Sequence, residues 1–109
     1  MRINYSEENG IVLSPEGAFN YCSGNECLNQ LNKFLADHPI DYISIDFSEV
    51  NALDSSGVGA LISLSKTLPP NATRLRLLYP QPNILNLLEV CHLRCLFDIV
   101  TEEKPIKSA

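Results

Sequence analysis

The sequence predicts an α/β fold with a mixed, mostly parallel sheet, an N-terminal antiparallel hairpin and helices packed on the sheet. Two observations support this prediction. Strand-like segments alternate along the chain with helix-like segments, an order that gives right-handed crossovers and parallel strand pairs. The first two strand-like segments follow each other directly, as in a hairpin.

Five segments are predicted to be strands. They are Arg2–Ser6, Gly10–Ser14, Asp41–Phe47, Arg74–Tyr79 and Leu96–Val100. The turn Glu8-Asn9-Gly10 joins the first two strands. In the third, Ile43, Ile45 and Phe47 occupy every second position, which is the period of a strand.

Three helices are predicted between these strands. The first begins at Ser23, which forms a capping box with Glu26, and it ends before Pro39. The second begins at about Ser56, and the third begins at Pro82. Their predicted buried faces are Cys27, Leu28, Leu31, Phe34 and Leu35 in the first; Val58, Leu61, Ile62, Ser65 and Leu68 in the second; and Ile84, Leu87, Leu88 and Cys91 in the third.

Length and composition predict one globular domain over residues 1–109, in which residues 101–109 form a polar tail. The 109 residues suffice for a single core, and 45% of them are hydrophobic. The net charge of −5 disfavours binding to nucleic acid or to an anionic membrane. The N-terminal segment lacks the apolar core of a signal peptide, and no apolar run approaches membrane-spanning length, so we expect a cytoplasmic protein.

Neither a metal site nor catalysis is expected from the cysteines and histidines. The spacing of the four cysteines with His92 departs from zinc-site patterns, and Cys91 and Cys95 are interpreted as core-facing. A hydrolase motif of the G-x-S-x-G type and a glycine-rich phosphate loop with lysine are both absent from the sequence. We therefore expect no enzyme activity and no cofactor.

The segment Asp54-Ser55-Ser56-Gly57-Val58-Gly59 is the most informative part of the chain. A serine hydroxyl at a helix N-terminus lies beside free N–H groups and the positive end of the helix dipole, where a phosphate is well accommodated. Serine is also a common N-cap, so a purely structural role is the alternative. Glycine at 57 and 59 fits either tight internal packing or the close approach of a partner, and periodicity leaves both open.

With its preceding strand and following helix, this segment resembles the STAS domains (sulfate transporter and anti-sigma factor antagonist). The resemblance covers nearly the whole chain and is greatest to free-standing bacterial anti-sigma factor antagonists, which regulate transcription by partner switching. It rests on Ile43–Ser48, Val50 and the run Leu53–Gly59. It implies a STAS-type fold and a signal-transduction role.

The resemblance also implies roles for individual residues. Ser55 matches the phosphoacceptor serine of these antagonists. In that family a GHKL-type serine kinase, which is also the anti-sigma factor, phosphorylates this serine, and a phosphatase removes the phosphate. Asp54 and Gly57 would shape the loop, and Ser56 would support it or cap the helix. Val58 fits either an exposed contact for the partner or the core, and periodicity leaves both open. Asn20, in Gly17-Ala18-Phe19-Asn20, replaces an acid that family members often carry near the site.

Two other functions remain open from the sequence. STAS domains also serve as accessory subunits of lipid-transport ATPases, and some sense a nucleotide or another small ligand. The first alternative predicts stable assembly that is independent of Ser55, and the second predicts ligand-dependent stabilisation.

Overall fold

A computed structural model gives the structure of the chain and describes residues 1–6, 10–37, 42–68 and 75–101. Within these ranges the chain forms seven strands, three α-helices and one short 3₁₀ helix. The strands are β1 (Arg2–Ser6), β2 (Gly10–Ser14), β3 (Gly17–Phe19), β4 (Ile43–Asp46), β5 (Val50–Leu53), β6 (Arg76–Leu78) and β7 (Asp98–Val100). The helices are α1 (Tyr21–Asp37), α2 (Ser55–Lys66) and α3 (Pro82–Val90), and the 3₁₀ helix is Leu93–Cys95.

The main sheet has five strands in the order β1-β2-β4-β6-β7. The pair β1–β2 is antiparallel, whereas the other neighbouring pairs are parallel. The predicted fold class is therefore confirmed, with the N-terminal hairpin at one edge. Residues 8 and 9 of the predicted turn, Pro39, Arg74 and residues 102–109 of the predicted tail lie outside the described ranges.

The core lies between this sheet and the helices. Phe19 and Phe47 pack against each other there, with ring centroids 5.2 Å apart. The strands Ile43–Asp46 and Gly10–Ser14 contribute residues from both faces, including the buried polar Ser44. The buried apolar set is Ile11, Leu13, Phe19, Cys27, Leu31, Ile43, Ile45, Phe47, Val50, Leu61, Leu64, Leu75, Leu77, Ile84, Leu88, Leu93 and Phe97.

A second, two-stranded parallel sheet pairs β3 with β5, and the sequence analysis missed it. These strands are three and four residues long and have no clear alternation of apolar and polar residues. From the predicted elements, Asp54–Gly57 would follow the carboxyl end of the strand Asp41–Phe47. In the structure β5 intervenes, so α2 starts directly after a strand that pairs with β3.

The predicted start of α1 at Ser23 is wrong, because the helix begins at Tyr21. The Ser23 N–H donates to Asn20 Oδ1 over 3.1 Å, and the Asn20 N–H donates to Ser23 Oγ over 3.3 Å. Asn20 thus holds the N-cap position, and Ser23 takes the reciprocal place that Glu26 was expected to fill.

The other helix boundaries lie close to their predicted positions. α2 begins at Ser55, one residue before the predicted start, and α3 begins at Pro82 as predicted. Cys91 and Cys95 are exposed, contrary to the expected core-facing positions. The helix ends at Val90 with Cys91 as its C-cap, and the following turn passes through His92 in the left-handed conformation (φ 58°). Both cysteines therefore lie beyond the helical repeat from which their positions were predicted.

Candidate functional site

The candidate site is the first turn of α2. Asp54 is its N-cap, with extended backbone (φ −106°, ψ −179°), and its Oδ1 atom accepts the Gly57 N–H over 2.8 Å. The first helical backbone bond runs from the Val58 N–H to the Asp54 carbonyl oxygen over 3.0 Å. The helix start is therefore fixed by the aspartate, and neither serine serves as its N-cap.

Ser56 connects this turn to α1. Its hydroxyl donates to Asp54 Oδ1 over 2.8 Å and accepts the Tyr21 backbone N–H over 3.0 Å. A serine hydroxyl has a single proton, which is here committed to the aspartate. Ser56 thus joins the N-termini of two helices 35 residues apart in the sequence.

Ser55 has the opposite surroundings. It is the first residue of the helix and is exposed. Among the residues that the structure describes, none forms a hydrogen bond with its hydroxyl. The Ser55 hydroxyl is thus exposed and has no hydrogen-bond partner among the described residues, whereas the neighbouring Ser56 hydroxyl both donates and accepts a hydrogen bond.

The two glycines of the segment also differ. Gly57 is buried, and a Cβ atom there would overlap the Phe19 carbonyl oxygen. Gly59 is exposed, and a Cβ atom there would meet no atom within 4 Å. Val58, between them, is half-buried and packs against the core. Internal packing therefore explains the glycine at position 57 but not the glycine at position 59.

Asn20 lies next to this turn, at the end of β3. The neighbouring Phe19 carbonyl faces Gly57, and the neighbouring Tyr21 N–H bonds Ser56. The Asn20 side chain itself caps α1 through Ser23. The structure therefore brings the Asn20 segment and the Asp54 segment together, a juxtaposition created by the β3–β5 pairing.

Asp54 is the only residue of the segment Asp54–Gly59 with an ionisable side chain. Hydrogen bonds from the Gly57 N–H and then from the Ser56 hydroxyl hold the pKa of its carboxyl below the usual value. Both bonds favour the ionised form, and the positive end of the helix dipole acts in the same direction. Asp54 is therefore a carboxylate at neutral pH, beside the Ser55 hydroxyl.

A groove of about 450 Å³ runs between α1 and α2 and begins beside Ser56. Tyr21 forms one wall and is 63% exposed, whereas Leu28 and Leu64 supply aliphatic surface. None of the described residues that line the groove is charged. Neither the position of Tyr21 nor the groove was predicted from the sequence, because both depend on how the two helices pack.

The cysteines take no part in this site. Cys27 is buried, and burial raises the pKa of its thiol to about 12. Cys22, Cys91 and Cys95 are exposed. Over the described ranges, no three His, Cys, Asp or Glu side chains are grouped as metal ligands would be. In the same ranges, no helix has the length and apolar character that crossing a membrane requires.

Comparison with known proteins gives two findings. The sequence model of the STAS domain matches residues 2–106. Among solved structures, the chain is similar to the anti-sigma factor antagonist SpoIIAA in its unphosphorylated form, with a TM-score of 0.73. That match has 20% sequence identity and covers 94% of this chain and 89% of the other, so it establishes a shared fold.

Proposed function

The chain belongs to the STAS domain family, and we propose that it is a regulatory protein-binding module of the anti-sigma factor antagonist type, switched by phosphorylation of Ser55. Its partners are a serine kinase that is also the anti-sigma factor and a phosphatase that restores the hydroxyl. It acts in the bacterial cytoplasm, has no enzyme activity of its own and needs no cofactor. The observation that supports this proposal best is that no described residue bonds the exposed Ser55 hydroxyl, whereas the Ser56 hydroxyl is hydrogen-bonded to Asp54 and Tyr21.

The hydrogen bonds of Ser56 support Ser55 rather than Ser56 as the phosphoacceptor. Transfer of a γ-phosphoryl group from ATP forms an O–P bond at the serine oxygen, releases its proton and leaves ADP. At Ser56 this would remove the proton donated to Asp54 and place a dianionic group against that carboxylate. At Ser55 the transfer breaks no hydrogen bond within the described part of the chain.

The site also accommodates the product. A phosphate on Ser55 would lie at the N-terminus of α2, where the positive end of the helix dipole favours negative charge and acts against repulsion from the Asp54 carboxylate. The helix therefore tolerates the modification. A partner surface that fits a neutral hydroxyl beside the Asp54 carboxylate would instead meet about −1.5 to −2 additional charges. The switch thus acts on complementarity with the partner, and the domain need not refold.

The remaining site residues have supporting parts in this proposal. Asp54 and Gly57 hold the loop in shape, Ser56 ties the loop to α1, and Val58 and Gly59 continue the partner surface along the helix. Asn20 acts through its cap on α1, which sets the position of Tyr21 beside Ser56. A direct contact from the Asn20 amide to the partner is not needed.

The test is phosphorylation by a partner captured from the natural host. The purified partner and ATP are mixed with wild type, Ser55→Ala and Ser56→Ala, and the modified residue is located by mass spectrometry. We expect one phosphate in wild type, none in Ser55→Ala, and phosphate on residue 55 in Ser56→Ala. Incorporation that persists in Ser55→Ala would refute the acceptor assignment. A captured ATPase subunit that binds equally well to Ser55→Asp would favour the accessory-subunit alternative.

A further inference from the structure

Gly59 is the one glycine in the chain for which neither backbone conformation nor internal packing requires glycine. Two of the other four have positive φ, and the remaining two would clash if they had a Cβ atom. They are Gly10 (φ 74°) and Gly17 (φ 79°), then Gly24 against Ala60 and Gly57 against Phe19. Gly59 lies inside α2, is exposed and faces open space. Alanine would favour the helix at this position, so the internal structure gives no reason for glycine.

The open space above Gly59 belongs to the groove between α1 and α2. The helices touch where Gly24 meets Ala60, and the groove lies beside this contact. Its volume of about 450 Å³ lies in the range of about 300–1,000 Å³ found for small-molecule pockets, so it is ample for a side chain. A side chain at residue 59 would project into this volume.

The position of Tyr21 ties the groove to Ser55. The Tyr21 N–H is bonded to Ser56 Oγ over 3.0 Å, so the tyrosine backbone is held one residue away from Ser55. Its ring is 63% exposed at the groove wall. Exposed tyrosines beside a concave apolar surface are typical anchors of protein–protein interfaces.

The lack of charged side chains among the described lining residues favours an apolar occupant of the groove. The chain has 13 acidic residues and a net charge of −5, yet none of the described lining residues is charged. A phosphorylated or otherwise ionic small ligand would find no ion-pair partner among them. An apolar side chain would bury the aliphatic surface of Leu28 and Leu64 and pack against the Tyr21 ring.

We propose that this groove receives an apolar side chain of the protein partner that acts on Ser55, and that Gly59 is glycine so that the partner can approach α2 closely. The inference deepens the proposed function, since it rests on a protein partner that docks at the first turn of α2. It assigns Gly59 and Tyr21 to the partner interface and leaves Gly57 to the fold.

The experiment measures the Kd of the purified captured partner, without ATP, for wild type, Gly59→Ala, Gly59→Leu and Tyr21→Ala. Asn32→Leu is the matched control, because it adds the same side chain to an exposed position of α1 outside the groove lining. Circular dichroism and thermal unfolding confirm that each variant folds. We expect Gly59→Leu to weaken binding about tenfold or more, since filling a packed site destabilises it. Gly59→Ala and Tyr21→Ala should weaken binding less, and Asn32→Leu should bind as wild type does.

The outcomes separate this inference from the proposed function. If Ser55 is phosphorylated normally but Gly59→Leu keeps the wild-type Kd, the groove proposal is wrong and the switch stands. If Gly59→Leu binds weakly but Ser55→Ala is still phosphorylated, the groove proposal stands and the acceptor assignment is wrong. If ATP or GTP alone shifts the amide NMR signals of groove residues, and Gly59→Leu abolishes these shifts, the groove binds a small ligand and the proposal is overturned. Self-association lost in Gly59→Leu would overturn it in favour of a second copy.

Discussion

Two pairs of residues in the first two turns of α2 differ in their contacts: the engaged pair, Ser56 and Gly57, and the open pair, Ser55 and Gly59. In the engaged pair, Ser56 is bonded to Asp54 and Tyr21, and Gly57 lies against the Phe19 carbonyl. In the open pair, no described residue bonds the Ser55 hydroxyl, and Gly59 faces open space. Each pair has one serine and one glycine, so residue type does not distinguish them.

This difference shows where structural and functional demands separate. The residues of the engaged pair are explained by contacts within the chain, and changing them should alter stability. The residues of the open pair have no such explanation, and changing them should alter binding with little effect on the fold. The comparison therefore predicts a graded series of effects on the free energy of unfolding.

The largest expected effect is that of Gly57→Ala. The new methyl group overlaps the Phe19 carbonyl, which lies next to the rigid β3–β5 pair. We expect a loss of about 3 kcal/mol in the free energy of unfolding, the upper end for overpacked sites, measured by urea denaturation. The control Gly59→Ala should be neutral or stabilising by up to about 1 kcal/mol. Equal losses in the two variants would remove the distinction between the engaged and the open pair.

Ser56→Ala comes next. It removes the hydrogen bond to Asp54 and the acceptor of the Tyr21 N–H, so we expect a loss of about 1–2 kcal/mol. Amide hydrogen exchange at Tyr21 should also become faster. Ser55→Ala is the matched control, for which a change within about 0.5 kcal/mol is expected. A larger loss in Ser55→Ala than in Ser56→Ala would show that the hydroxyl assignments are reversed.

The charge of Asp54 should give a smaller, pH-dependent effect. Because its folded-state pKa is lowered, its stabilising contribution is complete above the ordinary aspartate pKa and is lost as the pH falls through the lowered value. Asp54→Asn retains an N-cap side chain without the charge, so it serves as the reference. The stability difference between wild type and Asp54→Asn, measured from about pH 7 to about pH 3, should shrink at the acid end. A pH-independent difference would mean that the charge contributes nothing.

Ser55→Asp should have the smallest effect on stability. A carboxylate at the first helical position suits the helix dipole, so we expect a change within about 0.5 kcal/mol. Binding to the unmodified-state partner should nevertheless weaken, and calorimetry can measure it. Ser55→Asn, similar in size to the aspartate variant but neutral, should bind more tightly than Ser55→Asp. Equal affinities would show that charge is not the signal.

Most elements of the fold were predictable from the sequence, and the features that were not predicted share one cause. The five strands of the main sheet and three helices were predictable because their patterns are local. The β3–β5 sheet was not, since two short segments became strands only by pairing with partners 33 or 34 positions away, as in Gly17 with Val50 and Ala18 with Ala52. The same pairing brings Phe19 to Gly57 and Tyr21 to Ser56. The loop was therefore identified from sequence, whereas the division into engaged and open residues was not.

The most direct test of the proposed switch compares the chain carrying one phosphate on Ser55 with the unmodified chain. Affinity for the purified partner is measured by calorimetry, and amide NMR spectra report the fold of both forms. The account predicts at least about tenfold weaker binding of the phosphorylated form, with spectral changes confined to the first turn of α2 and the adjoining groove. Equal affinity of the two forms would contradict it.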